Sequence, residues 1–306
     1  MPSFGYLLRG GCARMEDHTA YLDQIQRSGG ALVNLSYREL TVLPSILNEM
    51  LAVKKLFLNN NKLIMPPDEI TTLDGLEELV LNSNQLTMLP TGISKLKKLR
   101  TLVLSNNKLC HLSSEIGELR CLTNLWLADV QLMSFPIEIC KLSNLQILCI
   151  RKNCISYLPD EIHFLTNLVR LDLADNQLKS LPKTMSQLSS LCYLDISNNQ
   201  FDTMPFCLVC MKGLNVIIAQ CNNIDSLSDS WLKKYKYVTK CDLRGNPLHE
   251  LSENFHQWIA IGALLVSENI NSSDETIFSY TGRIGNINSL IKNRRRHLDT
   301  SHDTDT

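Results

Sequence analysis

The sequence predicts an α/β solenoid: one parallel, concave sheet of about ten short strands, with short helices or 3-10 turns on the convex side. Three observations carry this. Proline recurs at Pro44, Pro67, Pro90, Pro136, Pro159, Pro182 and Pro205, at intervals of 23 residues or twice that, with Ser113 and Ser228 in the same register. Asparagine recurs in phase at Asn61, Asn84, Asn107, Asn153, Asn176, Asn199 and Asn222, and Asn246 follows after a one-residue insertion. Ahead of each asparagine, alternating apolar residues such as Leu171 and Leu173 point to one side of a short strand. A unit this small cannot bury its own leucines and must stack on copies of itself.

Taken in order, residues 1–30 precede the repeats and are expected to form a flank and cap. Glu16 to Arg27 fits a short helix, with Tyr21, Leu22 and Ile25 on one side and Gly29 and Gly30 as its stop. The repeats occupy 31–251, with strand motifs at about 33–35, 56–58, 79–81, 102–104, 125–127, 148–150, 171–173, 194–196, 217–219 and 241–243. Between strands, apolar residues three apart, as in Ile162, Leu165 and Leu168, suit a helical or 3-10 turn. Arg38 takes the asparagine slot in the first repeat, an irregularity common at solenoid ends. Val130 breaks the rule inside the array, so backbone groups there need water or another donor. Beyond Asn246, Leu251, Phe255, Trp258, Ile259 and Leu265 recur at helical offsets and predict a capping helix over 252–266, N-capped by Ser252, with Trp258 in the core. Residues 267–306 are polar and are expected to be a flexible tail.

A net charge of −1 gives no field toward nucleic acid. One basic run, Lys292 to His297, reads as a solvated part of the tail. Eleven cysteines are scattered rather than clustered at the ends, which reads as reduced thiols in a cytoplasmic protein. No stretch is apolar enough for a signal peptide or a membrane span. Phosphate-binding, zinc-protease and kinase motifs are missing, so an enzyme is not expected, and neither is a cofactor. Cys207 and Cys210 have metal-like spacing but no second pair in register, so they read as thiols beside the core rather than a metal site.

Function is expected on the sheet. The slot between the two strand leucines holds, in successive repeats, Phe57, Val80, Val103, Trp126 and Cys149, then Asp172 and Asp195. Identical slots lie side by side, so these residues form an apolar stripe of roughly 20 Å that turns acidic. Arg170 and Tyr193 lie two residues before that slot and Arg151 two residues after it. An apolar stripe with a charged rim is the profile of a protein-binding surface, and Trp126 is its natural anchor. On an open sheet, Asp172 and Asp195 suit partner binding better than acid–base catalysis.

The unit running from Leu168 to Pro182, LxxLxLxxNxLxxLP, resembles one leucine-rich repeat, which implies a horseshoe of such units. Its 23-residue form resembles the intracellular Ras-group leucine-rich proteins. Asp129–Val130 in place of the asparagine, followed by Ile150, Arg151, Lys152 and Asn153, is similar to the LAP proteins, the Scribble and Erbin group, as is the run from Leu181 to Met185. The chain is expected to depart from that group in a shorter array of ten motifs and in carrying no PDZ domain. The strand columns and the missing catalytic motifs lead us to expect a monomeric, non-enzymatic adaptor that binds protein partners on its concave face. The resemblance implies a scaffold. It also implies Ras-type or cell-cortex signalling, with peripheral membrane association compatible. The alternative is a regulatory or substrate-recognition subunit of a phosphatase or ubiquitin ligase.

Overall fold

Each alternating apolar pair turns one side chain inward from the middle of a strand and a second from the residue just past its end. Leu56 and Leu58, Leu102 and Leu104, and Leu171 and Leu173 are all fully buried in this way. The computed structural model describes residues 15–65, 67–234, 237–249, 251 and 253–266. Ser252 and the tail 267–306 lie outside the described residues, as does the basic run.

Helix α1 (Met15–Arg27) comes first. Its Leu22 is buried, and Tyr21 and Ile25 pack against the core. Ten strands follow: β1 (Leu32–Asn34), β2 (Lys55–Phe57), β3 (Glu78–Val80), β4 (Thr101–Val103), β5 (Asn124–Trp126), β6 (Ile147–Cys149), β7 (Arg170–Asp172), β8 (Tyr193–Asp195), β9 (Val216–Ile218) and β10 (Lys240–Asp242). They stand in chain order in one parallel sheet. Register is direct, Leu148 facing Leu171 and Leu171 facing Leu194. The inserted residue appears as Val216 facing Lys240. Each strand starts one residue earlier than its motif, because the ladder runs on past the strand; the Leu173 N–H still donates to the Asp195 carbonyl at 2.8 Å.

The return segments form 3-10 helices, such as Asp160–Phe164 and Lys183–Gln187. Most begin after a proline with φ near −70°, as at Pro159 (−72°). Where Ser113 replaces proline, its hydroxyl accepts the Glu115 N–H. The end of the array differs from the expected 252–266 helix. A 3-10 turn (Glu253–Phe255) leads into a short helix α2 (His256–Ala260), and the chain then returns as β11 (Leu264–Leu265), an eleventh strand on β10. Phe255 and Trp258 are buried and pack edge to face at 5.6 Å, so these two close the core while β11 covers the sheet edge.

The buried asparagines fasten neighbouring repeats together. Asn176 donates from Nδ2 to the carbonyls of Leu173 in its own repeat and Ile150 in the previous one, and its Oδ1 accepts the Ile155 N–H. The residue before each asparagine is left-handed, for example Asp175 (φ 55°). In the last repeat this residue is Gly245 (φ 74°), where a Cβ would lie 2.9 Å from the Cys221 sulfur.

At Val130 the backbone itself replaces the amide oxygen. Gln131 (φ 65°) and Cys110 (φ 54°) turn left-handed, and the Val130 carbonyl accepts the Cys110 N–H at 3.0 Å. Glu39 (φ 56°) makes the same turn after Arg38, the other repeat without asparagine. The Val130 carbonyl thus accepts an N–H from the preceding repeat where an asparagine Oδ1 would, and the two donations of an amide have no counterpart from this residue.

Candidate protein-binding face

The pairing register aligns the last residues of successive strands: Phe57 with Val80, Val103, Trp126, Cys149, Asp172 and Asp195. The first residues align likewise, Asn124 with Ile147, Arg170 and Tyr193. The columns read from the sequence therefore exist. Their exposure is not uniform. Phe57, Val103 and Trp126 are half-buried, but Val80 is buried, Cys149 is 3 % exposed and Asp172 5 %. The expectation of a continuously exposed stripe is corrected on this point. Cys149 lies between Trp126 and Asp172 with its thiol turned to the Asp172 carboxylate, and that carboxylate is turned to the Ala174 N–H, while Val80 is a short side chain between Phe57 and Val103.

The aspartates do local work. Asp172 Oδ1 accepts the Ala174 N–H at 3.2 Å, Asp195 Oδ1 accepts the Ser197 N–H at 3.0 Å, and Asp242 Oδ1 accepts the Arg244 N–H at 3.3 Å. An acidic residue ending a strand thus closes the turn two residues on. Asp195 also accepts the Ser197 and Tyr193 hydroxyls, and the Cys149 thiol donates to Asp172 at 3.6 Å. Burial, with the Asp195 charge beside it, raises the Asp172 pKa against the pull of Arg151 and Arg170. Burial likewise pushes the Cys149 thiol and the Tyr193 hydroxyl up, so both stay protonated at neutral pH. Nothing in this cluster is tuned as a nucleophile.

The half-buried Arg170 and the exposed Arg151 both have partners. The Arg170 guanidinium lies 4.3 Å from the centre of the Tyr193 ring, and Arg151 pairs with Asp175 at 2.8 Å. The face is therefore a row of large apolar groups ending in a stacked Arg–Tyr pair and an ion pair. A further polar knot was not anticipated from the sequence. Arg244 binds the buried Asp242 through two nitrogens, at 3.0 and 2.8 Å, and Gln220 reaches the same carboxylate at 2.6 Å. The signal available was Gln220 and Arg244 two residues after the strand slot in adjacent repeats. Among the described residues no group of three His, Cys, Asp or Glu side chains could hold a metal ion, and no helix is long and apolar enough to cross a membrane.

The model of the leucine rich repeat family matches residues 74–132, 143–201 and 166–220. The chain carries leucine-rich repeats. Such domains generally mediate protein–protein binding, which fits an adaptor role. A leucine-rich-repeat protein of Leptospira interrogans is similar in structure, with TM-score 0.59 and 27% identity over 80% of each chain. So is the leucine-rich-repeat ectodomain of the receptor kinase GASSHO1/SCHENGEN3 from Arabidopsis thaliana, solved in complex with Casparian strip integrity factor 2, at TM-score 0.59 and 30% identity. That match covers 80% of this chain but 28% of the ectodomain. A TDR receptor shares the fold at TM-score 0.68 and 22% identity, over 81% of this chain and 44% of its own. With 473 solved chains matching, likeness of fold selects no partner. A comparison with curated proteins gives no significant match.

Proposed function

We propose that this chain is a non-enzymatic adaptor whose leucine-rich-repeat sheet holds an apolar segment of a protein partner, in intracellular signalling of the Ras or cell-cortex type. One observation carries the site: strand register aligns Phe57, Val103 and Trp126 on the same face as the Arg170–Tyr193 stack. Trp126 is half-buried in the free chain, so its position is fixed beforehand while part of the ring stays available to a partner. Val103 and Cys149 stand on either side of it, and the buried Val80 fills the slot between Phe57 and Val103. Arg151, Tyr193 and Asp195 orient the partner, and Asp172 acts through its neighbours because it is buried. The ten described cysteines are free thiols, which supports a reducing, cytoplasmic setting. The Ras-group and LAP likeness of the 129–153 stretch supports the signalling context. The Arabidopsis ectodomain, solved in complex with Casparian strip integrity factor 2, supports a binding role for the repeats.

The test is affinity capture with quantitative mass spectrometry, comparing wild type, Phe57→Ala/Trp126→Ala and the exposed control Lys97→Ala. Partners should be lost by the double variant alone, with Trp126→Ala contributing about 2 kcal/mol or more. Recovery of the same partners by a double variant that still melts cooperatively would place binding elsewhere.

A further inference from the structure

A second apolar surface lies outside the sheet. Two residues before each repeat proline, or its Ser113 stand-in, the chain places Val42, Met65, Met88, His111 and Tyr157 in one register. In the Val130 repeat that register holds Ser134, and after the left-handed Gln131 it is Met133, one residue earlier, that is turned outward. These side chains are exposed, from 47 % at Met88 to 69 % at Met133. Adjacent positions are held side by side by a backbone ladder just upstream: Lys62 N–H to Leu40 O at 2.8 Å, Gln85 to Leu63 at 2.9 Å and Lys108 to Leu86 at 2.8 Å. In later repeats the same register holds Ser180, Thr203 and Ser226, so the ridge ends after six repeats. An exposed, contiguous apolar ridge marks an interaction surface, and unbranched methionines adapt to what they meet.

Two features define what fits. The first is spacing. Neighbouring repeats stand about 4.8 Å apart, and an α-helix advances about 5.4 Å per turn, so a helix laid along the ridge offers roughly one turn to each repeat. An extended strand presents same-side residues about 6.6 Å apart and falls out of step within a few repeats. The second is charge. Within a few residues beyond the ridge, the first turns of the 3-10 helices carry Asp68 and Glu69, Glu138, and Asp160 and Glu161. Glu115 in the same row is already engaged, accepting from Gly92 and Ser94. On the ladder side Lys62 is paired with Glu39 at 3.3 Å and Lys108 is exposed, so the border is acidic on the 3-10 side alone. An apolar ridge flanked there by carboxylates attracts the charged face of a cationic helix. We infer that the Val42–Tyr157 ridge is a docking surface for a basic amphipathic α-helix of a partner protein, separate from the sheet face.

A fluorescein-labelled leucine/lysine model peptide of about 18 residues, with leucines spaced three and four apart, is the probe. It is titrated at physiological salt, which screens diffuse attraction. Wild type is compared with Met65→Ser/Met88→Ser/Met133→Ser and with Trp126→Ala, after circular dichroism has established that each is folded. Saturable binding to wild type, weakened about tenfold or more by the triple change and unaltered by Trp126→Ala, is expected. A leucine/glutamate peptide of the same pattern should not bind. Equal binding by the triple variant, or equal binding of the glutamate peptide, overturns the inference. So does a wild-type dimer in light scattering that the triple variant dissolves, since the occupant is then a second copy. Pelleting of wild type, but not of the variant, with neutral phosphatidylcholine vesicles assigns the ridge to lipid instead.

Discussion

Asp172 sits at the end of β7 with its carboxylate buried, one strand from Asp195. Its pKa is raised, first by burial and then by that neighbour. The folded chain therefore holds the Asp172 proton to higher pH than the unfolded chain does. Its contribution is most favourable at acid pH and falls as pH rises from about the ordinary 3.8 through the raised folded value. Asp172→Asn keeps an oxygen to accept the Ala174 N–H and removes the buried charge. At neutral pH the variant should melt at or above the wild-type temperature, and the difference should shrink on acidification. Calorimetry at a series of pH values decides. A lower melting temperature at neutral pH would show that Arg151 and Arg170 outweigh burial.

At the scale of elements, the closing repeat is where physics and spacing diverge most. Lys234, just after the 3-10 helix Asp229–Lys233, is fully buried, and its ammonium donates to the Met211 carbonyl, with the Tyr237 ring centre 5.9 Å away. Burial lowers its pKa to about 8, partly offset by Cys210. Here the folded chain releases the proton before the unfolded chain does, so stability is lower below pH 8 and rises between about 8 and the ordinary 10.5. Lys234→Met should raise the neutral-pH melting temperature and flatten that alkaline rise, followed by the fluorescence of the nearby Trp231 and Trp258. A loss of stability at neutral pH would mean that the bond to Met211 prevails over burial. Such features were invisible in the sequence for a physical reason. Leucine and asparagine spacing dictates strand register and the inward face, so the columns were legible, Phe57 through Asp195 included. Exposure within a column depends on where each side chain finds its partners, as for Asp172, turned to the Ala174 N–H and the Cys149 thiol, and spacing does not encode that. Backbone substitution for a missing amide oxygen at Val130, and the return of β11 after a shortened helix, depend on peptide orientations that no residue pattern encodes.

For the whole array, stability should follow from contacts between neighbours. Each strand pairs only with the strands before and after it, and each asparagine reaches only the adjacent repeat. Among the described residues no strand pairs beyond its immediate neighbours, so cooperativity is transmitted through interfaces in series. Leu171 lies at such an interface, fully buried between Leu148 and Leu194. Leu171→Ala should remove about 2–5 kcal/mol through lost burial and the cavity left behind. In a globular core that loss would shift one transition. In a stack it weakens the interface joining the repeats before β7 to those after it, so the two parts should separate. Trp126 precedes the break, whereas Trp231 and Trp258 follow it. Urea unfolding of Leu171→Ala followed by tryptophan fluorescence, in parallel with Leu171→Ala/Trp126→Phe, therefore reads both sides. Wild-type curves should coincide, and the Leu171→Ala curves should split into two midpoints. A single shifted transition in both would show that coupling between repeats exceeds the cost of the cavity. A loss below about 1 kcal/mol would mean that Leu171 is not at a packed interface at all.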